Sequence, residues 1–293
     1  MKEQKEPGRS GRRKYLNQYK YRAALLFLLA LAVSVWTGRL VYLSEASRLN
    51  DNVTASDQFR SQPVDSEILE QLREVKSPGE ALGIYWLETG FGKEQNRLSL
   101  PEMAEKRKRW ERKEGWKGYL NACQAVWDDA VYFPIPEAEE GSRLTVTFEN
   151  SWMFSRSYKG ERGHEGTDIM PSINERGLFP VVSMTDGIIR NIGWLELGGW
   201  RIGIEAPRGA YIYYAHLDSY ADIEEGDEVK AGDFLGFMGD SGYGTEEGTR
   251  GKFPVHLHLG IYLYDEEQEI SVNPYPVLKY VEERRVQWRK SAI

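Results

Sequence analysis

The chain has 293 residues, 41% of them hydrophobic and 28% charged, with 29 glycines, a profile of a folded, turn-rich protein and not of a disordered one. Its one cysteine, Cys123, excludes an internal disulfide framework and any multi-cysteine metal site, and its apolar setting reads as core. The formal charge is −7, yet residues 1–22 hold eight basic residues against Glu3 and Glu6, which leaves −13 on the remainder and excludes a nucleic-acid backbone as its partner.

Taken in chain order, residues 1–22 read as a basic cytoplasmic tail. The run "AALLFLLALAVSVWTG" follows without a charge, and past Arg39 the apolar character continues to Leu43. Residues 23–43 have the length of a spanning helix, with Arg39 near enough to the end to snorkel. The basic flank predicts an N-terminus in the cytoplasm and everything after Leu43 outside. A cleaved signal peptide is the competing reading, with "SEA" at 44–46 as its cleavage pattern. Residues 44–63 are polar, lack a period and read as a linker.

Residues 64–133 carry helical signals. Ile68, Leu69, Leu72 and Val75 share one helical face. "SPGE" at 77–80 supplies Ser77 as N-cap, Pro78 at the first helical position and Glu80 for a capping box. Pro101 opens a third helix and "KGYLNACQAVWDDAVYF" forms a fourth; the basic run Lys106–Lys113 reads as a solvated face. The whole module reads as a spacer or a unit that docks a protein partner.

From residue 134 to about 272 short β-branched and aromatic runs alternate with glycine turns, as in "GIIRNIGW", "WRIGIEAP", "AYIYYAHL" and "VHLHLGIYLY". This pattern predicts a mainly β fold of antiparallel hairpins. The segment "VLKYVEERRVQWRK" reads as a terminal helix.

All four histidines fall in the β-rich part. His256 and His258, two apart in an extended run, project from one face. His216 ends an alternating strand, and His164 stands four residues before Asp168 in a glycine-punctuated turn. Taken singly, each fits an ordinary hydrogen-bonded histidine. Together with Asp168, they offer the three nitrogen or oxygen donors that a catalytic zinc requires, with histidines left over for proton transfer.

At "HEGTD" (164–168), "YAHL" (214–217) and "VHLHLG" (255–260), together with "IEEGDEVKAGDFLGFMGDSG" (223–242), the chain resembles the lysostaphin-type (LytM-like) zinc endopeptidases of bacterial cell walls. The resemblance covers roughly residues 145–275, with the motifs in the family's order. It implies a lysostaphin-type peptidase domain over 134–293, one zinc per chain held by His164, Asp168 and His258, and His216 and His256 as the catalytic pair. It implies hydrolysis of peptidoglycan stem or cross-link peptides, or alternatively a peptidase-fold scaffold in a cell-wall, division or sporulation complex. In the family's pattern an arginine directly precedes the first histidine, whereas here Gly163 does, with Arg162 one place further back. The loop "YGTEEGTRGKF" (243–253) is longer than is usual and is expected to line the groove.

Overall fold

The computed structural model describes residues 9–50, 52–92, 100–138, 144–265 and 268–288, and divides into two compact units, Met1–Arg48 and Leu49–Ile293. Residues 1–8 of the basic tail lie outside the described residues.

The first unit is one 40-residue helix, α1 (Arg9–Arg48). Its stretch Gln18–Val41 is long and apolar enough to cross a membrane, and none of that window is buried within the chain. Phe27 and Trp36 stand about two-thirds exposed (70% and 66%), surface that calls for a lipid or protein cover.

The second unit opens with five helices: α2 (Asp57–Arg60), α3 (Ser66–Leu72), α4 (Pro78–Thr89), α5 (Leu100–Trp110) and α6 (Trp116–Trp127). The cap expected for α4 is present, with Pro78 at its start and the Glu80 amide donating to Ser77 Oγ at 3.3 Å. The reciprocal half of the capping box is absent because the Glu80 carboxylate pairs with Arg107 at 2.9 Å. Gly79 and Gly83, one turn apart, let α6 approach closely: a methyl at Gly79 would lie 2.5 Å from the Cys123 carbonyl. Cys123 itself is buried, and burial pushes its thiol well up, so it is an inert core residue.

Residues 44–63, read in the sequence as a linker, instead continue α1 to Arg48 and then, among the described residues, pack into the core through buried Leu49, Val53 and Phe59. Polar turns, one of them capped by Ser56 on the Phe59 amide, hide three apolar side chains that give no periodic signal.

The β part comprises β1 (Val146–Phe148), β2 (Ser155–Arg156), β3 (Arg162–Gly163), β4 (Thr167–Pro171), β5 (Pro180–Val182), β6 (Gly187–Leu195), β7 (Gly199–Glu205), β8 (Tyr211–Tyr220), β9 (Glu228–Val229), β10 (Phe234–Met238), β11 (Leu257–Asp265) and β12 (Gln268–Val272), followed by α7 (Tyr275–Val281). The main sheet runs β1-β4-β11-β8-β7-β6-β9, all pairs antiparallel, while β2 and β3 form a separate hairpin. One face of the sheet is core: Ile169, Ile202, Tyr214, Leu257 and Leu259 are fully buried.

The helical module is joined to this sheet by specific bonds. Arg60 Nε donates to the Ser271 carbonyl of β12 (2.9 Å), and the Asn273 amide donates back to the Arg60 carbonyl (2.8 Å). Trp127 Nε1 donates to Gln62 Oε1 (2.6 Å), and its ring meets Tyr280 of α7 edge-on at 5.8 Å. The terminal helix ends at Val281, short of the run to Lys290 that the sequence suggests. Arg284 and Arg285 lay their guanidinium groups over Tyr280 and Phe133, each at 4.3 Å, and Glu137 pairs with the extended Gln287.

Candidate metal centre

Sheet register assembles the site. His258 lies directly across from Asp168 of β4 and, on its other side, from Ala215 of β8. His256 enters β11 through a bridge to Gly239, and Leu257 between the two histidines turns into the core. His164 follows the β2–β3 hairpin, its backbone exchanging hydrogen bonds with Met153 and Phe154.

His164 Nε2, His258 Nδ1 and Asp168 Oδ1 form a triangle with all three sides at 3.0 Å. Donors around a tetrahedral zinc at its usual bond lengths stand about 3.3 Å apart, so the triangle matches that ion closely. The donor set agrees with the geometry. His164 Nδ1–H donates to the Ser151 carbonyl (3.1 Å), which leaves Nε2 as a lone pair. Asp168 Oδ2 accepts from Arg156 Nη2 at 2.7 Å, which leaves Oδ1 facing the histidines. Burial pushes the Asp168 carboxyl up, but the contacts with His164 and His258 more than reverse this and hold it well below the usual carboxylate range.

The other two histidines border the triangle. The His216 ring centroid lies 4.7 Å from that of His256 and 5.9 Å from that of His258. His216 Nδ1–H donates to the Ser241 carbonyl (2.8 Å) and His256 Nδ1–H to the Pro254 carbonyl (2.8 Å), so each keeps Nε2 as a free lone pair. Burial lowers the pKa of both, most strongly for His216, which is held neutral. His216 has φ 63°, left-handed backbone at a bulge in β8, a strained conformation of the kind that clusters at functional sites.

An aromatic wall stands over this pair. Phe253 packs on His216 (4.5 Å) and on Tyr243 (4.9 Å), and Tyr243 stacks on Tyr158 at 4.8 Å with planes 10° apart. The long loop 243–253 therefore does border the histidines. Arg162 points to the Tyr243 hydroxyl at 3.3 Å, and the cation held by Asp168 is Arg156. Sequence reasoning missed Arg156 and Ser151. The first sits in a two-residue strand with no pattern, and the second acts through its backbone carbonyl.

The chain matches the models of two families, described as Peptidase family M23 over residues 162–274 and LytM, N-terminal domain over residues 44–129. It is 40% identical over 159 residues to L-Ala–D-Glu endopeptidase of Bacillus subtilis, covering 54% of this chain and 46% of that protein. It is 31% identical over 148 residues to lysostaphin of Staphylococcus simulans, covering 46% of this chain and 27% of that protein. The chain thus spans half or less of the length of the curated relatives it matches. Among solved structures, that of a Ruminococcus gnavus protein assigned as the glycyl-glycine endopeptidase lytM superposes with a TM-score of 0.78 at 50% identity, covering 83% of this chain and 98% of that one.

Proposed function

This chain belongs to the LytM-type peptidases of family M23, and from that premise we propose that it is a zinc-dependent endopeptidase of the bacterial cell wall, cutting stem or cross-link peptides of peptidoglycan. The observation that carries the proposal is the triangle of His164, Asp168 and His258 donors bordered by two histidines with free Nε2 atoms. One zinc per chain would be held by those three residues. When bound, it would supply Lewis-acid polarisation of the scissile carbonyl and a more acidic attacking water.

The chain's own residues do the rest. His216 and His256, anchored at Nδ1 by backbone carbonyls, turn Nε2 toward the reacting atoms. One accepts the proton of the attacking water at Nε2 and, as the imidazolium so formed, delivers that same proton to the departing amine, while the other stands beside the developing oxyanion. Arg156 and the Ser151 carbonyl fix the orientation of Asp168 and His164. Phe253 and Tyr243 keep water from one side of His216.

The exposed apolar stretch of α1 and the basic residues before it support a single-pass anchor with the folded unit on the outer side of the cytoplasmic membrane. The complete donor set favours hydrolysis over a scaffold use of the fold. The test is digestion of purified peptidoglycan by the zinc-loaded full chain in detergent, with the released peptides identified by mass spectrometry. Defined new peptide termini are expected. Intact peptidoglycan in the presence of correctly folded, zinc-loaded protein would overturn the proposal.

A further inference from the structure

Arg201 is a cation that the chemistry above leaves unused. In β7 it lies opposite Gly193 of β6. On its other side, the register passes from Trp200–Leu217 to Ile202–Tyr214, so Ala215 and His216 together stand across from it. Ala215 pairs with His258, and His258 with Asp168. One lateral row of the sheet therefore reads Asp168, His258, Ala215–His216, Arg201. Neighbouring Ile202 and its partner Tyr214 point into the core, which turns Arg201 to the face that carries His258 and Tyr213. Two strand spacings put its backbone about 10 Å from that of His258.

The environment of Arg201 is that of a group waiting for an anion. Its Nη1 is buried without a hydrogen-bond partner, and among the described residues no carboxylate pairs with it. Of the carboxylates whose charge acts on the same tyrosines as Arg201, Glu269 accepts from the Tyr264 hydroxyl (3.1 Å) and Glu247 from Trp200 Nε1 (3.2 Å). The hydroxyl-bearing neighbours on which its charge acts, Tyr211, Tyr213 and Tyr220, stay neutral, because burial pushes their phenols up, that of Tyr220 to about 12. The Tyr213 ring meets His258 edge-on at 6.1 Å and so links the arginine to the metal ligands. A desolvated guanidinium N–H without an acceptor is costly, and a carboxylate in bidentate geometry removes that cost.

We propose that Arg201 forms a carboxylate-binding subsite in the row of the metal ligands. The subsite selects peptides that carry a free carboxylate on the residue next to the scissile bond. Consecutive Cα atoms of an extended substrate are about 3.8 Å apart, so that residue falls within the arginine's reach when the scissile carbonyl lies at the metal ligands. The inference rests on the peptidase reading and sharpens it, favouring an acidic stem peptide over an all-glycine bridge.

Three substrates test it with the zinc-loaded full chain in detergent: an L-Ala–D-Glu stem peptide with a free carboxylate on D-Glu, the same peptide with that carboxylate amidated, and pentaglycine. The wild-type chain is expected to cleave the first at least tenfold faster in kcat/KM than the other two. Arg201→Gln is expected to lose roughly tenfold to a hundredfold on the carboxylate peptide and little on the amide, with zinc content unchanged. Arg201→Lys, which keeps the charge, is expected to retain part of the preference. Equal wild-type rates on acid and amide, faster cleavage of pentaglycine, or a uniform loss in Arg201→Gln overturns the subsite and leaves the peptidase reading standing. A wild-type chain that cleaves no peptide overturns both.

Discussion

Gly166→Ala addresses the metal triangle without touching a donor. A methyl at residue 166 would sit 2.5 Å from both Cε1 and Nε2 of His258 and 2.6 Å from the Leu259 carbonyl oxygen. Ordinary contact begins near 3.4 Å, so something must retreat by about 0.9 Å. The Leu259 carbonyl belongs to β11, which is paired on both sides, so the His258 ring and the backbone at residue 166 must share the displacement. Any ring movement of that order displaces Nδ1 from its place in the 3.0 Å triangle by more than the about 0.2 Å that zinc distances tolerate. We expect a fall in zinc affinity of at least tenfold to a hundredfold and an overpacking cost of about 1–3 kcal/mol, read as a loss of a few degrees in the Tm of the metal-free protein. Competition against a chromophoric chelator measures the first, and calorimetry the second. Wild-type zinc affinity in Gly166→Ala would refute the placement of His258 as a ligand.

Two further outcomes follow from packing and charge. Burial pushes the Glu88 carboxyl up, but the hydrogen bond from Trp110 and the charges of Arg109 and Lys106 more than reverse this and hold its folded pKa below 4.5. Its contribution to stability is complete above about pH 4.5 and is lost as pH falls through the lower folded value. The urea midpoint of the wild-type chain should therefore drop more steeply below pH 4.5 than that of Glu88→Gln; equal slopes would contradict this. A fragment of residues 134–293 loses Trp127, Gln62 and Arg60 from the seams with α7 and β12, and is expected to aggregate where residues 49–293 melt cooperatively. Cooperative melting of the shorter fragment at the same temperature would show that the helical module is dispensable.

The candidate site was readable where its chemistry follows a local period. His256 and His258 share a face because strands repeat every two residues, and Asp168 follows His164 within one turn. The short capped helices were readable for the same reason, through Ser77 and Pro78. What stayed hidden depends on distant pairings. Ser151 and Ser241 act through backbone carbonyls, which carry no residue code. Arg156 reaches Asp168 only because β2 folds back on β3, and Arg201 comes into the lateral row of His258 and Asp168 only through a bulge in β8. The packing of Phe59 in an apparently polar linker and the end of α7 at Val281 were likewise set by contacts far away in the chain.

The division of labour among the five site residues is the central claim, and zinc content measured beside peptidase activity tests it most directly. Asp168→Ala is expected to lose both, because it removes one corner of the donor triangle. His216→Ala is expected to keep one zinc per chain and to lose activity by at least a hundredfold, since the proposed mechanism gives its Nε2 to proton transfer and leaves the metal to the other three residues. A His216→Ala protein that binds no zinc, or an Asp168→Ala protein that holds a full equivalent, would contradict the account.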